Sequence, residues 1–330
     1  MPTVLLTHTR AALPLYYGDE ACARLARLAQ VRVTDRDDEL APPELLALAR
    51  DCDVIVSSRA TPAPRSLFDG LPDLLAFVRC AVDVRTVDLE AASSNGILVT
   101  HASAGFATAV AEWTLGAMID LARGIAASTS DYRAGRTPAV RLGRELRGSA
   151  LGLIGYGAIA RRLATIAAAL GMRVIASDPY RRVDDPEVLE CELGTLLESA
   201  DFVVCLAAAT AETENLMNGS TFALMRPTAF FINPSRGQLV DEGALLHALE
   251  AGVVAGCALD VGRAADQMSS PLLASHPRCL ATPHVGGLTR AAIDHQALET
   301  VAQVEAILGG TLPPGALNAD VPGLRFRRVA

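Results

Sequence analysis

Short apolar runs alternate with stretches of helical periodicity along most of the chain. In about the first hundred residues, this pattern predicts buried strands over 4–7, 31–34, 53–57, 75–78 and 97–100. Helices are predicted between them over 19–30, 42–50 and 87–94. Strands that alternate with helices pair in parallel, so this part of the chain is expected to form an α/β domain with helices on both faces of its sheet.

The same alternation resumes after residue 150. It predicts strands over 151–154, 172–177, 201–206, 229–233, 253–261 and 279–282. It also predicts short helices over 220–225 and 242–250, and long helices over 104–127 and 288–308. The first long helix would join two α/β domains. Its small residues are expected either to pack inside the molecule or to contact a second subunit; they are Ala107, Ala109, Ala111, Gly116 and Ala117.

One strand–helix–strand unit contains a glycine-rich turn typical of dinucleotide-binding proteins. The strand over 151–154 runs into Gly-Tyr-Gly-Ala-Ile-Ala at 155–160, a G-x-G-x-x-A motif, and a helix follows. Gly155 permits the tight turn, and Gly157 lets the backbone approach a pyrophosphate. The helix start, at Ala158 and Ile159, offers N–H groups and a positive dipole end to the phosphates.

An acidic residue follows the second strand of this unit. Asp178 lies 18 residues beyond Ala160, where a carboxylate can accept hydrogen bonds from a ribose 2′-hydroxyl and would repel a 2′-phosphate. This favours NAD over NADP, although Arg181 and Arg182 keep some use of NADP possible. The sequence therefore predicts a domain that binds NAD.

Composition and charge argue against several other classes of protein. The net charge is −8 and the one basic cluster is at 325–328, so no nucleic-acid binding is expected. No apolar run reaches the roughly 18 residues of a transmembrane helix and no signal peptide is visible, so no membrane association is expected. The seven cysteines are scattered, which predicts reduced thiols in a cytoplasmic protein and no metal site. All 29 basic residues are arginines, which excludes a catalytic lysine.

Several motifs occur in the order found in one enzyme family. They are the turn at 151–160 with Asp178, Phe-Ile-Asn-Pro-Ser-Arg-Gly-Gln-Leu-Val-Asp-Glu-Gly-Ala-Leu at 231–245, Ala-Leu-Asp-Val at 258–261 and Ala-Thr-Pro-His-Val-Gly-Gly at 281–287. From about residue 53 to 308, the chain resembles the D-isomer-specific 2-hydroxyacid dehydrogenases, which include D-lactate, glycerate and phosphoglycerate dehydrogenases. The resemblance implies two Rossmann-like, doubly wound parallel-sheet domains. They would be a substrate domain over 1–103 plus 288–330, closed by the C-terminal helix, and an NAD-binding domain over 104–287.

The resemblance also implies catalytic roles for two residues that each follow a predicted strand. The planar guanidinium of Arg236 would bind the carboxylate of a 2-keto acid and polarise its carbonyl. The imidazole of His284 would give a proton to the developing alkoxide in reduction and remove it in oxidation. The expected activity is the NAD-dependent interconversion of a 2-keto acid and a D-2-hydroxy acid.

Further site residues are carried over from the family pattern. The cofactor would contact the residues of the glycine-rich turn and also Pro234, Ser235, Arg236, Asp260, His284 and Gly286. The substrate would contact Ser58, Val82, Asp83 and Arg236. The family pattern and the small residues of the helix over 104–127 together predict a homodimer.

Three departures from the family pattern leave a second hypothesis open. The usual glutamate that holds the histidine is Ala265 here; Asp266, one residue on, is expected either to replace it, if the loop shifts, or to be a solvated acid of the loop. Asp83 occupies a usual glycine position, where its carboxylate would oppose an anionic substrate unless Arg59 or Arg85 pairs with it. Leu206 and Ala208 replace a common histidine and proline. The alternative function is therefore a catalytically weakened NAD-binding sensor or scaffold protein.

Overall fold

The structure is a computed structural model that describes residues 1–264 and 267–328. The chain divides into two compact units. Unit 1 comprises Met1–Gly105 and Arg290–Ala330, and unit 2 comprises Phe106–Thr289. None of the helices in the described ranges combines the length and the apolar character that a bilayer crossing needs.

The elements follow one another in regular strand–helix alternation. The strands are β1 (Thr3–Leu6), β2 (Gln30–Val33), β3 (Val54–Ser57), β4 (Ala76–Arg79), β5 (Leu98–His101), β6 (Ala150–Ile154), β7 (Arg173–Ser177), β8 (Val188–Glu190), β9 (Phe202–Cys205), β10 (Phe230–Asn233), β11 (Gly256–Leu259) and β12 (Cys279–Ala281). The helices are α1 (Ala12–Tyr16), α2 (Asp19–Leu28), α3 (Pro42–Ala49), α4 (Arg65–Asp69), α5 (Leu89–Ser94), α6 (Ala107–Arg123), α7 (Ile125–Arg133), α8 (Ala158–Ala169), α9 (Leu193–Ser199), α10 (Gly219–Ala223), α11 (Glu242–Glu250), α12 (Pro271–Ala274) and α13 (Arg290–Leu308).

Unit 1 is a parallel sheet covered on both faces. Its described strands are ordered β2-β1-β3-β4-β5, which is the doubly wound order of flavodoxin-like sheets. On one face, α2 and α13 bury Leu25, Val304 and Ile307 against Val4 and Leu98. Fully burying one such side chain contributes about 1.5–3 kcal/mol, so α13 is an integral part of this unit. The prediction that the C-terminal helix closes the first domain is confirmed.

Unit 2 has the strand order of dinucleotide-binding domains. Its described strands are ordered β12-β11-β10-β9-β6-β7-β8, and each neighbouring pair is parallel. The winding direction reverses between β6 and β9, and ligands of such sheets bind at the carboxyl ends of the strands beside that point. The predicted fold class, two doubly wound parallel sheets, is confirmed.

The prediction of one continuous helix over 104–127 is wrong. Gly124 has a φ of +65°, and this left-handed residue ends α6 and starts α7. Ala109, Ala111 and Ala117 of α6 are buried, the last two within the core of unit 2. Of the two alternatives for these small residues, packing inside the molecule is therefore correct for these three.

Short elements account for most other differences from the predicted pattern. The sequence pattern did not predict α1, α4, β8, α9 or α12, each of which has seven residues or fewer. Helices of this length have little intrinsic stability, so tertiary packing decides whether they form. The strand predicted over 253–261 is shorter and begins at Gly256.

Candidate functional site

The turn between β6 and α8 accepts only glycine at its first position. Gly155 has a φ of +88°, in the left-handed region that other residues rarely adopt. A Cβ atom at Gly155 would also lie 2.9 Å from backbone atoms of Ala207, just after β9. The glycine therefore lets the loops after β6 and β9 meet at the switch point of the sheet.

The space beside the second glycine of this turn fits a pyrophosphate group. Among the described residues other than its two chain neighbours, none has a heavy atom within 4 Å of a Cβ built on Gly157. The helix α8 begins at Ala158, and its first N–H groups have no acceptor inside the helix. Ala158 is exposed and Ile159 is half-buried, whereas Ala160 is fully buried. Open space beside a positive helix end is the arrangement that binds the phosphates of a dinucleotide.

Asp178 ties the glycine-rich turn to the loop after β7. Its Oδ2 accepts a hydrogen bond from the backbone N–H of Tyr156 at 2.8 Å. Its Oδ1 accepts bonds from the N–H groups of Tyr180 and Arg181 at 2.9 and 3.0 Å. A carboxylate has about four acceptor positions, so these three bonds leave room for a ribose hydroxyl. Asp178 is therefore suited to support the turn and to receive the ribose together.

The loop after β10 holds Arg236 through a buried asparagine. The Asn233 side chain is 1% exposed; its Oδ1 accepts from the N–H of Ser235 at 3.1 Å, and its Nδ2 donates to the Arg236 carbonyl at 2.8 Å. Pro234 is buried between them, and the half-buried Arg236 guanidinium donates to the Ser235 carbonyl at 2.7 Å. Asn233 was not among the site residues predicted from the sequence, although a polar residue that ends a buried strand signals such a role.

The loop after β12 holds His284 through a buried carboxylate. Asp260 is 1% exposed; its Oδ1 accepts from the Thr282 hydroxyl at 2.6 Å and from the Val285 N–H at 2.8 Å, and its Oδ2 accepts from the Gly286 N–H at 2.7 Å. Asp260 thus bonds to residues on both sides of His284. These bonds show that Asp260 holds the turn; its contact with the cofactor stays a prediction from the sequence.

These bonds outweigh an unfavourable backbone conformation at the histidine. His284 has a φ of +56°, which residues other than glycine seldom adopt. Such a conformation costs of order 1 kcal/mol or more. Each hydrogen bond to a charged group contributes about 1.5–3 kcal/mol, so the Asp260 bonds can hold the turn against that cost.

Glycines let the loops after β10, β11 and β12 lie against one another. A Cβ at Gly237 would lie 2.2 Å from the Gly262 backbone, and a Cβ at Gly286 would lie 2.8 Å from the Asp260 carboxylate. The three strands are neighbours in the sheet. The structure therefore brings Arg236, Asp260 and His284 to the carboxyl edge of one sheet.

The predicted substrate residues lie in loops at the carboxyl edge of unit 1. Ser58 follows β3 and is 5% exposed; its hydroxyl hydrogen bonds to that of Thr61 at 3.0 Å. Val82 and Asp83 are half-buried in the loop after β4. The Asp83 carboxylate accepts from Arg85 Nη2 at 2.7 Å and from its Nε at 3.0 Å. Arg85 therefore pairs with the carboxylate that the sequence analysis identified as an obstacle to an anionic substrate.

A buried arginine that the sequence analysis missed supports these loops. Arg79 ends β4, is 0% exposed and donates to the Ser58 carbonyl, the Thr61 carbonyl and the Thr86 hydroxyl, the last two at 2.9 Å. Burial lowers the pKa of Arg79 to about 10, against the opposing effect of Asp83. Burial and the charge of Arg79 lower the pKa of the neighbouring His8 to about 4. A charged residue that ends an otherwise apolar strand was the available signal.

One predicted catalytic residue, Asp266, lies outside the described residues, as does the adjacent Ala265. The role of Asp266 beside His284 stays a prediction from the sequence.

Comparison with known proteins now decides the family. The model of the "D-isomer specific 2-hydroxyacid dehydrogenase, NAD binding domain" matches residues 115–286, more than half of the chain. The chain belongs to this family. The recognition made from the sequence motifs is confirmed. The matched domain is an NAD-binding domain and the glycine-rich turn fits the dinucleotide, so NAD is confirmed as the cofactor.

Individual relatives of the dehydrogenase family match most of the chain. D-3-phosphoglycerate dehydrogenase 3, chloroplastic, of Arabidopsis thaliana is 32% identical over 332 residues, covering 99% of this chain and 55% of that protein. D-3-phosphoglycerate dehydrogenase of Methanocaldococcus jannaschii is 33% identical, covering 84% and 54%. A solved structure from Thermus thermophilus superposes with a TM-score of 0.86 at 31% identity, covering 96% and 99%. The chain spans about half the length of the curated relatives it matches.

Proposed function

We propose that the protein is an NAD-dependent dehydrogenase that interconverts a 2-keto acid and a D-2-hydroxy acid. The observation that carries the proposal is the Thr282–Gly286 turn, in which a buried carboxylate holds His284 at the carboxyl edge of a dinucleotide-binding sheet. Unit 2 would bind the NAD, and unit 1 would contribute substrate contacts from Ser58, Val82 and Asp83.

Each residue would perform a separate part of the reaction. Bound NAD supplies hydride transfer to and from the carbon that carries the oxygen. The Arg236 guanidinium would bind the substrate carboxylate and draw electron density from the keto oxygen. His284, protonated, would give its proton to that oxygen in reduction and take it back in oxidation. Asp266 would favour the protonated imidazole through its negative charge.

The alternative, a catalytically weakened sensor or scaffold, rests on Ala265 in the usual glutamate position. The pairing of Arg85 with Asp83 weakens its second argument, because the charge of the carboxylate is offset. Oxidation of NADH with glyoxylate, hydroxypyruvate, pyruvate, phenylpyruvate and phosphohydroxypyruvate separates the two functions. Turnover of one of these acids supports the enzyme and identifies its substrate. NADH binding without turnover of any of them supports the alternative.

We expect kcat/KM to be about tenfold or more higher with NADH than with NADPH, because the Asp178 carboxylate would repel a 2′-phosphate by about a kcal/mol or more. Initial rates with both cofactors at one substrate concentration series measure the ratio. Equal values for the two cofactors would contradict the role of Asp178 in selecting the ribose.

A conservative variant tests the charge of Asp178. Asp178→Asn removes the charge and keeps one acceptor oxygen, so the loop loses either the Tyr156 bond or the Tyr180 and Arg181 bonds, whereas alanine would lose all three. The ratio of kcat/KM with NADH to kcat/KM with NADPH should decrease in Asp178→Asn. Arg173→Gln, an exposed change on β7, the strand that precedes Asp178, is the matched control and should leave the ratio of the two kcat/KM values unchanged.

We propose that the protein forms a homodimer through the segment after α7. Val140 and Leu142 are 102% and 103% exposed, and Tyr132 is 70% exposed. Large apolar side chains that are exposed at the surface favour association, and homo-oligomers are most often two-fold symmetric. A cytoplasmic location stays a prediction from the sequence.

Light scattering coupled to size-exclusion chromatography is expected to show a dimer at micromolar concentration. The double variant Val140→Asp/Leu142→Asp should shift it to monomer, because two charges would be buried in the interface. Leu189→Asp, at another exposed leucine of unit 2 (62% exposed), is the matched control and should remain dimeric. A monomeric wild-type protein would refute the dimer.

A further inference from the structure

Two cysteines lie side by side in the sheet of unit 2. Cys257 of β11 and Cys279 of β12 are register partners in a parallel strand pair. Side chains of register partners project from the same face of a sheet, and neighbouring strands are about 4.8 Å apart. The two thiols therefore face one another across adjacent strands.

The two strands approach closely where the cysteines lie. A Cβ at Gly256, directly before Cys257, would lie 2.9 Å from the Arg278 carbonyl, directly before Cys279. The Cys257 N–H donates to that carbonyl at 2.9 Å. The absence of a side chain at Gly256 lets β11 and β12 lie close together at the residues beside the thiols.

The two thiols differ in access to solvent. Cys257 is 0% exposed, whereas Cys279 is half-buried on β12, the edge strand of the sheet. A hydrogen bond with Cys279 raises the pKa of the Cys257 thiol well above its usual value, and burial raises it further. Cys257 is therefore the shielded member of the pair, and Cys279 is the one that a small oxidant in solution reaches.

We propose that Cys257 and Cys279 form an oxidation-sensitive dithiol, which a peroxide converts to a disulfide between β11 and β12. The formation of this disulfide requires neither a bound substrate nor a bound cofactor.

The steps balance with hydrogen peroxide as the oxidant. The Cys279 sulfur attacks the O–O bond, which breaks; one oxygen stays on sulfur as sulfenic acid and the other leaves as water with the thiol proton. The Cys257 sulfur then attacks the sulfenic sulfur, so that the S–S bond forms and the S–O bond breaks. The second oxygen leaves as water with the Cys257 proton. The two sulfurs lose two electrons in all, and the peroxide gains them.

The disulfide would act on the turn that holds His284. Asp260 directly follows β11 and Thr282 directly follows β12, each three residues beyond a cysteine of the pair. The Thr282 hydroxyl donates to the Asp260 carboxylate at 2.6 Å. Relaxed disulfides hold the two Cβ atoms about 3.8 Å apart, less than the spacing of neighbouring strands, so the link would pull β11 and β12 together. If the proposed function is correct, oxidation should lower kcat about tenfold or more, because small displacements of a catalytic group are costly.

Peptide mapping by mass spectrometry tests the dithiol without any substrate. The whole wild-type protein is treated with hydrogen peroxide, free thiols are alkylated, and the digest is analysed without reductant. We expect a peptide pair linked through Cys257 and Cys279 that a dithiol reductant separates. Cys279→Ser should abolish the link, as should Cys257→Ala. Cys191→Ser, which removes another half-buried cysteine of unit 2, should leave it intact.

Three results would overturn the proposal. They are a wild-type protein in which Cys279 proceeds to sulfinic acid with Cys257 still reduced, a disulfide that joins either cysteine to a different one, and a disulfide between two chains. Because the mapping requires no turnover, a protein without dehydrogenase activity still gives a decisive result.

Discussion

Replacement of His284 by alanine should lower kcat for reduction of a 2-keto acid about a hundredfold or more, which is the usual loss when a general acid is removed. The alkoxide that develops at the substrate oxygen would then have to take its proton from water. Steady-state rates of NADH oxidation with the best substrate of the panel measure the effect. His276→Ala, at another half-buried histidine of the same unit, is the matched control and should keep wild-type kcat.

Two further variants separate the role of His284 from those of its neighbours. Arg236→Ala should lose a similar factor and also raise KM, because the guanidinium binds the substrate carboxylate as well as polarising the carbonyl. Asp266→Ala should lose less than His284→Ala, because Asp266 would act through the imidazole. If His284→Ala kept wild-type kcat, another group would have to supply the proton, and the proposed mechanism would be wrong.

Asp260→Asn should lower kcat about tenfold or more and lower the free energy of unfolding by about 2 kcal/mol. The amide of asparagine places an N–H group where the turn offers only donors. At least one of the Thr282, Val285 and Gly286 donors then loses its charged acceptor. Urea denaturation and steady-state kinetics measure the two effects.

The affinity for NADH distinguishes two roles of Asp260. If the carboxylate acts by holding the turn, kcat falls and the Kd of NADH measured by fluorescence changes little. If the carboxylate binds the cofactor directly, as the family pattern implies, Kd rises with the loss of kcat. Thr282→Val removes one donor to Asp260 and should lower kcat less than Asp260→Asn does. Thr282→Ser keeps the hydroxyl and should keep the wild-type kcat. A wild-type kcat in Asp260→Asn would show that the turn does not depend on this carboxylate.

The sequence by itself determined the fold class, the family and the cofactor. Repeated apolar runs separated by helical stretches predict parallel sheets. The strands of such sheets are covered by helices on both faces, so nearly every residue in them is apolar. The glycine-rich turn could also be predicted from the sequence, because its conformation depends on Gly155 and Gly157, which lie within a few consecutive residues. For the same reason, Arg236 and His284 could be named from motifs that each lie within a short stretch of chain.

Only the tertiary structure decided how these residues are supported. Asp260 and Gly286 are 26 residues apart in sequence, yet the hydrogen bond between them joins the ends of two neighbouring strands. Gly124 divides a predicted helix through its left-handed conformation, a change of direction that helical periodicity does not reveal. Cys257 and Cys279 lie far apart in the sequence and become neighbours only through the register of β11 and β12. The local pattern of apolar residues and glycines reflects the conformation of the nearby backbone. Contacts between residues distant in sequence depend on the register in which the strands pair.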